Sequence, residues 1–189
     1  MAQGVSLETC RNALAKMPRM PGRTDPVITE PFTVLIDYAV TPKAFENLYS
    51  GVKRLFEPRT MICVFGACGG GRDKWKRPML GKIAASYCDE IILTNEDPYD
   101  ENPHQILSEI KSGVSRAESR DKTASSNVYE ILDRREAIRK ALSIAREDDV
   151  VVVSGKGSEN ALAVAGGKRI PWDERKIIEE EFAKLDKKA

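Results

Sequence analysis

From position 32 the chain alternates two hydrophobic patterns. FTVLIDYAV (32–40) is β-rich and nearly continuous in apolar residues, as expected of a strand buried on both faces. TPKAFENLYSGVKRLF follows as a helix, with Pro42 suited to its first turn. MICVFGACGGG (61–71) is a strand running into glycines, KRPMLGKIAASYC (76–88) a helix, and IILTN (91–95) a short buried strand. PHQILSEIKSGV is helical again, NVYEIL (127–132) has strand character, and RREAIRKALSIARE (134–147) is a helix. Four valines then run into a second glycine loop, VVVVSGKG (150–157). Trp172 precedes a charged helix, DERKIIEEEFAKLDKK, with Asp173 as its N-cap. About five strand–helix alternations predict an α/β fold, a Rossmann-like and mostly parallel sheet with helices on both faces.

The first 31 residues read differently. SLETCRNALAKM (6–17) predicts a short helix capped by Ser6, with Glu8 in its first turn and Leu7, Cys10, Leu14 and Met17 at helical spacing. Two prolines and a glycine in MPGRTDP predict a hinge or linker. The expected organisation is therefore a helix plus hinge over 1–31, and one domain over 32–189. The polar stretch SRAESRDKTASSN (115–127) is expected as a mobile loop.

Composition narrows the classes. A net charge of +1 leaves no bulk attraction to nucleic acid or a membrane surface. No apolar run approaches the ~20 residues that span a bilayer, and the N-terminus has no signal-peptide core, so a cytoplasmic location is expected. The four cysteines form no C-x-x-C pair and there is one histidine, His104. That is a poor supply of zinc ligands; no metal site is expected, and the thiols should be reduced and mostly buried.

In a parallel sheet, ligands gather beyond the carboxyl ends of the strands. Three such ends carry unusual residues: Asp37-Tyr38, the 66–77 loop, and Gly155-Lys156-Gly157. In GACGGGRDKWKRP, consecutive glycines let backbone N–H groups approach an anion, and Arg72, Lys74, Lys76 and Arg77 add cations. The fork of Arg72 suits a carboxylate. This is not a phosphate loop of the G-x-x-x-x-G-K-[ST] type. In GKGSE, Glu159 could receive an ammonium and Lys156 could steady a carboxylate; a plain strand exit is the alternative. NEDPYDENP (95–103) places Glu96, Asp97, Asp100 and Glu101 at a fourth strand end. They suit an amine or a cation, or simply cap the next helix. Asp37 and Tyr38 could hold a ribose and a base, or cap a helix. His104, Trp75 and Trp172 read as a helix residue and two packing residues.

Taken together, PGR (21–23), VLIDYAVTPKAFENL (34–48), VFGACGGGRDKWKRP (64–78), LTNEDPYDENP (93–103), DRREAI (133–138) and VVSGKGSE (152–159) resemble the Mur ligase family. The likeness is to the C-terminal domain of the branch that adds the third residue to the cell-wall precursor peptide. It covers nearly the whole chain. It implies a cytoplasmic, ATP-dependent ligase of peptidoglycan biosynthesis, in which the carboxylate of a UDP-N-acetylmuramoyl dipeptide becomes an acyl phosphate attacked by the incoming amino acid. ATP and Mg2+ would be bound mainly by a central domain, so this chain would carry no catalytic residue of its own. By position, Arg72 matches the arginine on the amino acid's carboxylate, and Gly155 and Glu159 match residues holding its distal end. Glu96, Asp97, Pro98 and Tyr99 fall on the specificity motif; Arg23 and Asp37 match residues facing the nucleotide.

Four positions differ from the family pattern. Val40 stands for the histidine of DYAH, Ser158 for that of GKGHE, and Gly71 for an acidic residue. Tyr99 replaces the arginine of DNPR, the motif of diaminopimelate-adding enzymes. Without that cation, and with Glu96 and Asp97 nearby, the expected amino acid is lysine-like rather than diaminopimelate. Two alternatives stand beside the ligase: a non-catalytic amino-acid or anion-binding module derived from it, and a domain like that of folylpolyglutamate synthetase, against which GGGRDKWKRP and GKGSE argue.

Overall fold

The computed structural model describes residues 4–118 and 127–185. Its centre is a six-stranded sheet in the order β1-β2-β6-β3-β4-β5. The strands are β1 (Asp25–Ile28), β2 (Thr33–Asp37), β3 (Met61–Phe65), β4 (Glu90–Leu93), β5 (Asn127–Glu130) and β6 (Val150–Ser154). All neighbours pair in parallel except β1, which runs antiparallel to β2. The helices are α1 (Leu7–Ala15), α2 (Pro42–Phe56), α3 (Lys76–Tyr87), α4 (Pro103–Glu118), α5 (Arg134–Ile144) and α6 (Glu174–Leu185).

The apolar runs are explained by burial on both faces. Leu35, Cys63, Phe65, Ile91, Leu93, Val150 and Val152 point to one core, closed by Phe45, Tyr49 and Val52 of α2, Leu80 and Ala84 of α3, and Ile110 of α4. Their alternates Val34, Ile36, Ile62, Val64, Ile92, Val151 and Val153 point to the other, closed by Ile138 and Leu142 of α5 and Ile178 of α6. Caps form at Ser6 and Asp173, as the sequence led one to expect, and also at Thr41 and Asp133. The side chains of Ser6, Thr41, Asp133 and Asp173 accept the N–H groups of Thr9, Ala44, Glu136 and Lys176.

Several expectations are corrected. Asp25–Ile28, at the end of the supposed linker, is a strand on the sheet edge. A hairpin, β7 (Ala161–Val164) and β8 (Lys168–Pro171), follows the second glycine loop. Of the expected mobile loop, residues 115–118 belong to α4 and 127 opens β5; residues 119–126 lie outside the described residues. Cys63 and Cys88 are joined in a disulfide, not reduced, because β3 and the end of α3 bring their Cα atoms to 6.0 Å. Cys68 is a buried free thiol and Cys10 an exposed one. Trp75 is 64% exposed and packs no core, whereas Trp172 packs against the α5–α6 side. The apolar stripe of α1 is open, with Leu7, Leu14 and Met17 exposed.

Candidate functional site

Because β2, β3, β4 and β6 run the same way, their carboxyl ends deliver Asp37, the 66–75 loop, the 94–102 segment and the 155–160 loop to one edge. Hydrogen bonds then join these loops. Gly69 N–H donates to Asp97 O at 2.7 Å, and Gly155 N–H to Asp37 O at 3.1 Å.

At the middle of this edge lies Lys156, 1% exposed. Its Nζ is 2.8 Å from Asp97 Oδ1 and 2.6 Å from Glu159 Oε2. Burial alone would lower the Lys156 pKa, but the bonds to Asp97 and Glu159 override it and the pKa ends above the usual range. Tyr38 Oη donates to Glu159 Oε1 at 3.0 Å. That hydrogen bond first, and partial burial second, raise the Tyr38 pKa. The Arg23 guanidinium lies over the Tyr38 ring at 4.5 Å. Asp37 is spent on the backbone, accepting from the N–H groups of Thr24 and Ala39, each at 2.7 Å.

A cavity of about 290 Å3 opens beside this network, lined by Asp97, Tyr99, Ser158, Glu159, Ala163 and Arg169, among others. The structure thus brings Asp97, Tyr99 and Glu159 onto one cavity and sets Gly155 and Lys156 against them. Gly155 has a φ of +111°, and a Cβ there would sit 2.9 Å from Glu96 Oε2, so a side chain has neither the backbone conformation nor the space. Pro98 presents its carbonyl to Gly69, and the Tyr99 ring lies against Gly70. Arg72 stands on the exposed rim of its loop, outside the cavity lining.

The acidic turn does not offer the open negative surface that its composition suggests. Asp97 is taken by Lys156 and by the Ala163 N–H at 2.9 Å, Asp100 by the Gly166 N–H, and Glu101 by Arg77, Lys74 and the Gly71 N–H. Glu96 is buried behind the loop. Equally, Lys156 is not free to steady a ligand carboxylate. Glu96 and Asp97 are therefore not open to a ligand ammonium, while Tyr99 still brings no cation.

Burial pushes the Glu96 carboxyl up to about 7, against the pull of Arg134 and Lys76. A carboxyl raised in the folded state stabilises the fold relative to an ordinary one at low pH, and that advantage is lost as pH rises from about 4.5 through 7. The urea stability of the wild-type chain is expected to fall between pH 5 and pH 8 by roughly 2–3 kcal/mol more than that of Glu96→Gln, which cannot ionise. Parallel pH profiles for the two chains would show that this carboxyl does not titrate in the window.

Two arginines hold the site together: Arg134 had no role foreseen from the sequence, and Arg77, expected to offer its charge to a ligand anion, is taken by the protein's own carboxylates. Arg134, fully buried at the start of α5, donates to Glu174, to Asn95 O at 3.2 Å and to Ser154 O at 2.9 Å, so it ties the ends of β4 and β6 to α6. Arg77 donates to Cys68 O at 3.0 Å and to Glu101 and Glu109, fixing the glycine loop from beneath. The DRREAI motif was the one visible trace of Arg134. Nothing in KRIP marked Arg169.

The family model described as "Mur ligase, glutamate ligase domain" matches residues 22–157. The UDP-N-acetylmuramoyl-L-alanyl-D-glutamate–2,6-diaminopimelate ligase of Caldanaerobacter subterraneus is 43% identical over 185 residues, covering 97% of this chain and 36% of that protein. The UDP-N-acetylmuramyl-tripeptide synthetase of a Roseiflexus species is 42% identical, covering 97% of this chain and 35% of its own length. A solved UDP-N-acetylmuramoyl-L-alanyl-D-glutamate–2,6-diaminopimelate ligase superposes with a TM-score of 0.77 at 29% identity, over 98% of this chain and 36% of that one. The chain thus spans about a third of the length of the curated relatives it matches.

Proposed function

The chain belongs to the Mur ligase family and corresponds to its C-terminal domain, and from that premise we propose that it holds the incoming amino acid in a ligase of peptidoglycan-precursor synthesis. The acceptor is UDP-N-acetylmuramoyl-L-alanyl-D-glutamate, and the amino acid is of the diaminopimelate type, as in the names of the relatives. The observation that carries the reading is the cavity at the strand ends, lined by the Lys156-held carboxylates Asp97 and Glu159, with the arginine-bearing glycine loop bonded to the same turn through Gly69 N–H and Asp97 O.

Arg72 binds the α-carboxylate from the rim. Glu159, 40% exposed, receives the distal ammonium. Lys156 fixes one oxygen of Glu159, and Tyr38 holds the other. The domain's part in the reaction is positional: it presents the attacking amino group at a fixed place on the sheet edge.

The family is ATP-dependent, and ATP with Mg2+ supplies the activation of the acceptor carboxylate. Asp37 is consumed by backbone N–H groups, and among the described residues no three His, Cys, Asp or Glu side chains gather where a metal could be held. We place the site for ATP and Mg2+ on the part of the longer relatives that this chain does not span. Residues 4–24, with the open stripe of α1, are the connection to it; Arg23 and Tyr38 turn toward the nucleotide when the domains close.

Calorimetric titration with meso-diaminopimelate, L-lysine and L-ornithine tests the reading. Binding of meso-diaminopimelate is expected, weakened roughly tenfold or more by Arg72→Ala, since a charge-assisted bidentate contact is lost. No binding by any of the three, or equal binding by the variant, would remove the proposal.

A further inference from the structure

The cavity beside Tyr99 and the lysine set against it carry two negative and two positive charges, unevenly paired. Its two carboxylates, Asp97 and Glu159, are both answered by Lys156. Its remaining charged group, Arg169, has no ion pair among the described residues. A cation left without a partner in such a cavity asks for an anion from the ligand.

Arg169 is placed there by an ordered piece of backbone. It pairs with Ala163 across the β7–β8 hairpin. Ala163 in turn donates its N–H to Asp97 at 2.9 Å and accepts the Tyr99 N–H at 3.2 Å. Tyr99 bridges to Val164, and the Gly166 N–H is held by Asp100 at 2.8 Å. The hairpin is therefore laced to the whole 97–100 turn, and Arg169 rides on it one strand out from the turn. Tyr99 itself brings no charge to the cavity.

We propose that Arg169 is the specificity-determining cation of this cavity, pairing with the distal carboxylate of a diaminopimelate-type amino acid while Glu159 receives the ammonium beside it. The assignment rests on the amino-acid-binding reading above. It gives the cavity one acidic and one basic partner for a ligand end that carries both charges. L-Lysine, which has the ammonium but no distal carboxylate, would leave Arg169 unsatisfied.

The test is calorimetry of the chain with meso-diaminopimelate and with L-lysine, for wild type, Arg169→Ala, and Arg169→Ala combined with Tyr99→Arg. Arg169 is exposed, so its removal leaves the fold intact, checked by the thermal melt. Arg169→Ala is expected to weaken meso-diaminopimelate roughly tenfold or more and to change L-lysine by less than about twofold. Tyr99→Arg, which returns a cation to the same cavity from the facing turn, is expected to recover part of the loss. Unchanged meso-diaminopimelate binding in Arg169→Ala, or an equal loss for both amino acids, overturns the assignment while leaving the cavity as an amino-acid site. A wild-type chain that binds neither ligand overturns both readings together.

Discussion

Alanine at Arg134 is expected to lower the unfolding free energy by about 3–5 kcal/mol, the range for removing one partner of a buried ion pair. The side chains of Arg134 and Glu174 are both fully buried. Without the guanidinium, the Glu174 carboxylate keeps the Trp172 Nε1–H as a donor but loses its charge partner. Two carbonyls, Asn95 O and Ser154 O, lose their donor as well. Arg134 also pulls the Glu96 carboxyl downward, so its removal deepens the preference of Glu96 for the protonated form. Urea unfolding at pH 7 measures the loss. Arg134→Met with Glu174→Leu should recover most of it, because two apolar side chains leave no stranded charge; the carbonyls limit the recovery. A loss below about 1 kcal/mol for the single variant would mean that the hub is not the clamp its contacts imply.

Gly69→Ala is the second large effect, and it acts on the site more than on the core. A Cβ at Gly69 would lie 2.1 Å from Pro98 O and 2.8 Å from Pro98 C, both backbone atoms that cannot rotate away. The Gly69 N–H donates to Asp97 O at 2.7 Å, so the arginine loop and the 97–99 turn are in direct backbone contact. Relieving the clash must part them and break that bond. The expected cost is about 1–3 kcal/mol of stability. Amino-acid binding should fall by at least about tenfold, because Arg72 and Glu159 would no longer face one ligand at their native spacing. The thermal melt and calorimetry report the two separately. Normal affinity in Gly69→Ala would show that the two loops bind independently.

How much of this was legible beforehand depended on the range of the interaction. The strands β2, β3 and β6 were visible because burial on both faces leaves a continuous apolar run. The helices were visible from their periodicity, from Pro42 in a first turn and from the caps at Ser6 and Asp173. The edge strand β1 and the hairpin were not. DPVI and KRIP are four residues long, partly polar and proline-bearing, and they form strands only because a neighbour supplies the other half of the ladder. Asp97 and Glu159 were rightly placed near one another by the parallel-sheet rule. That they are already partnered could not be read, since Lys156 lies between them and pairs with both.

The sequence by itself determined the α/β class, the order of strands and helices, the strand ends that carry chemistry and the resemblance to the Mur ligases. Each of these follows from local periodicity, capping or contiguous motifs. Tertiary structure alone decided which charges remain available. It spent Asp37, Asp97 and Glu101 on backbone and lysine or arginine partners. It buried Glu96, joined Cys63 to Cys88, made Arg134 a hub across two strand ends, and brought Arg169 to the cavity from 70 positions beyond Tyr99. The reason is that a charge is defined by the groups within a few ångströms of it, and in a parallel sheet those groups come from segments far apart in the chain.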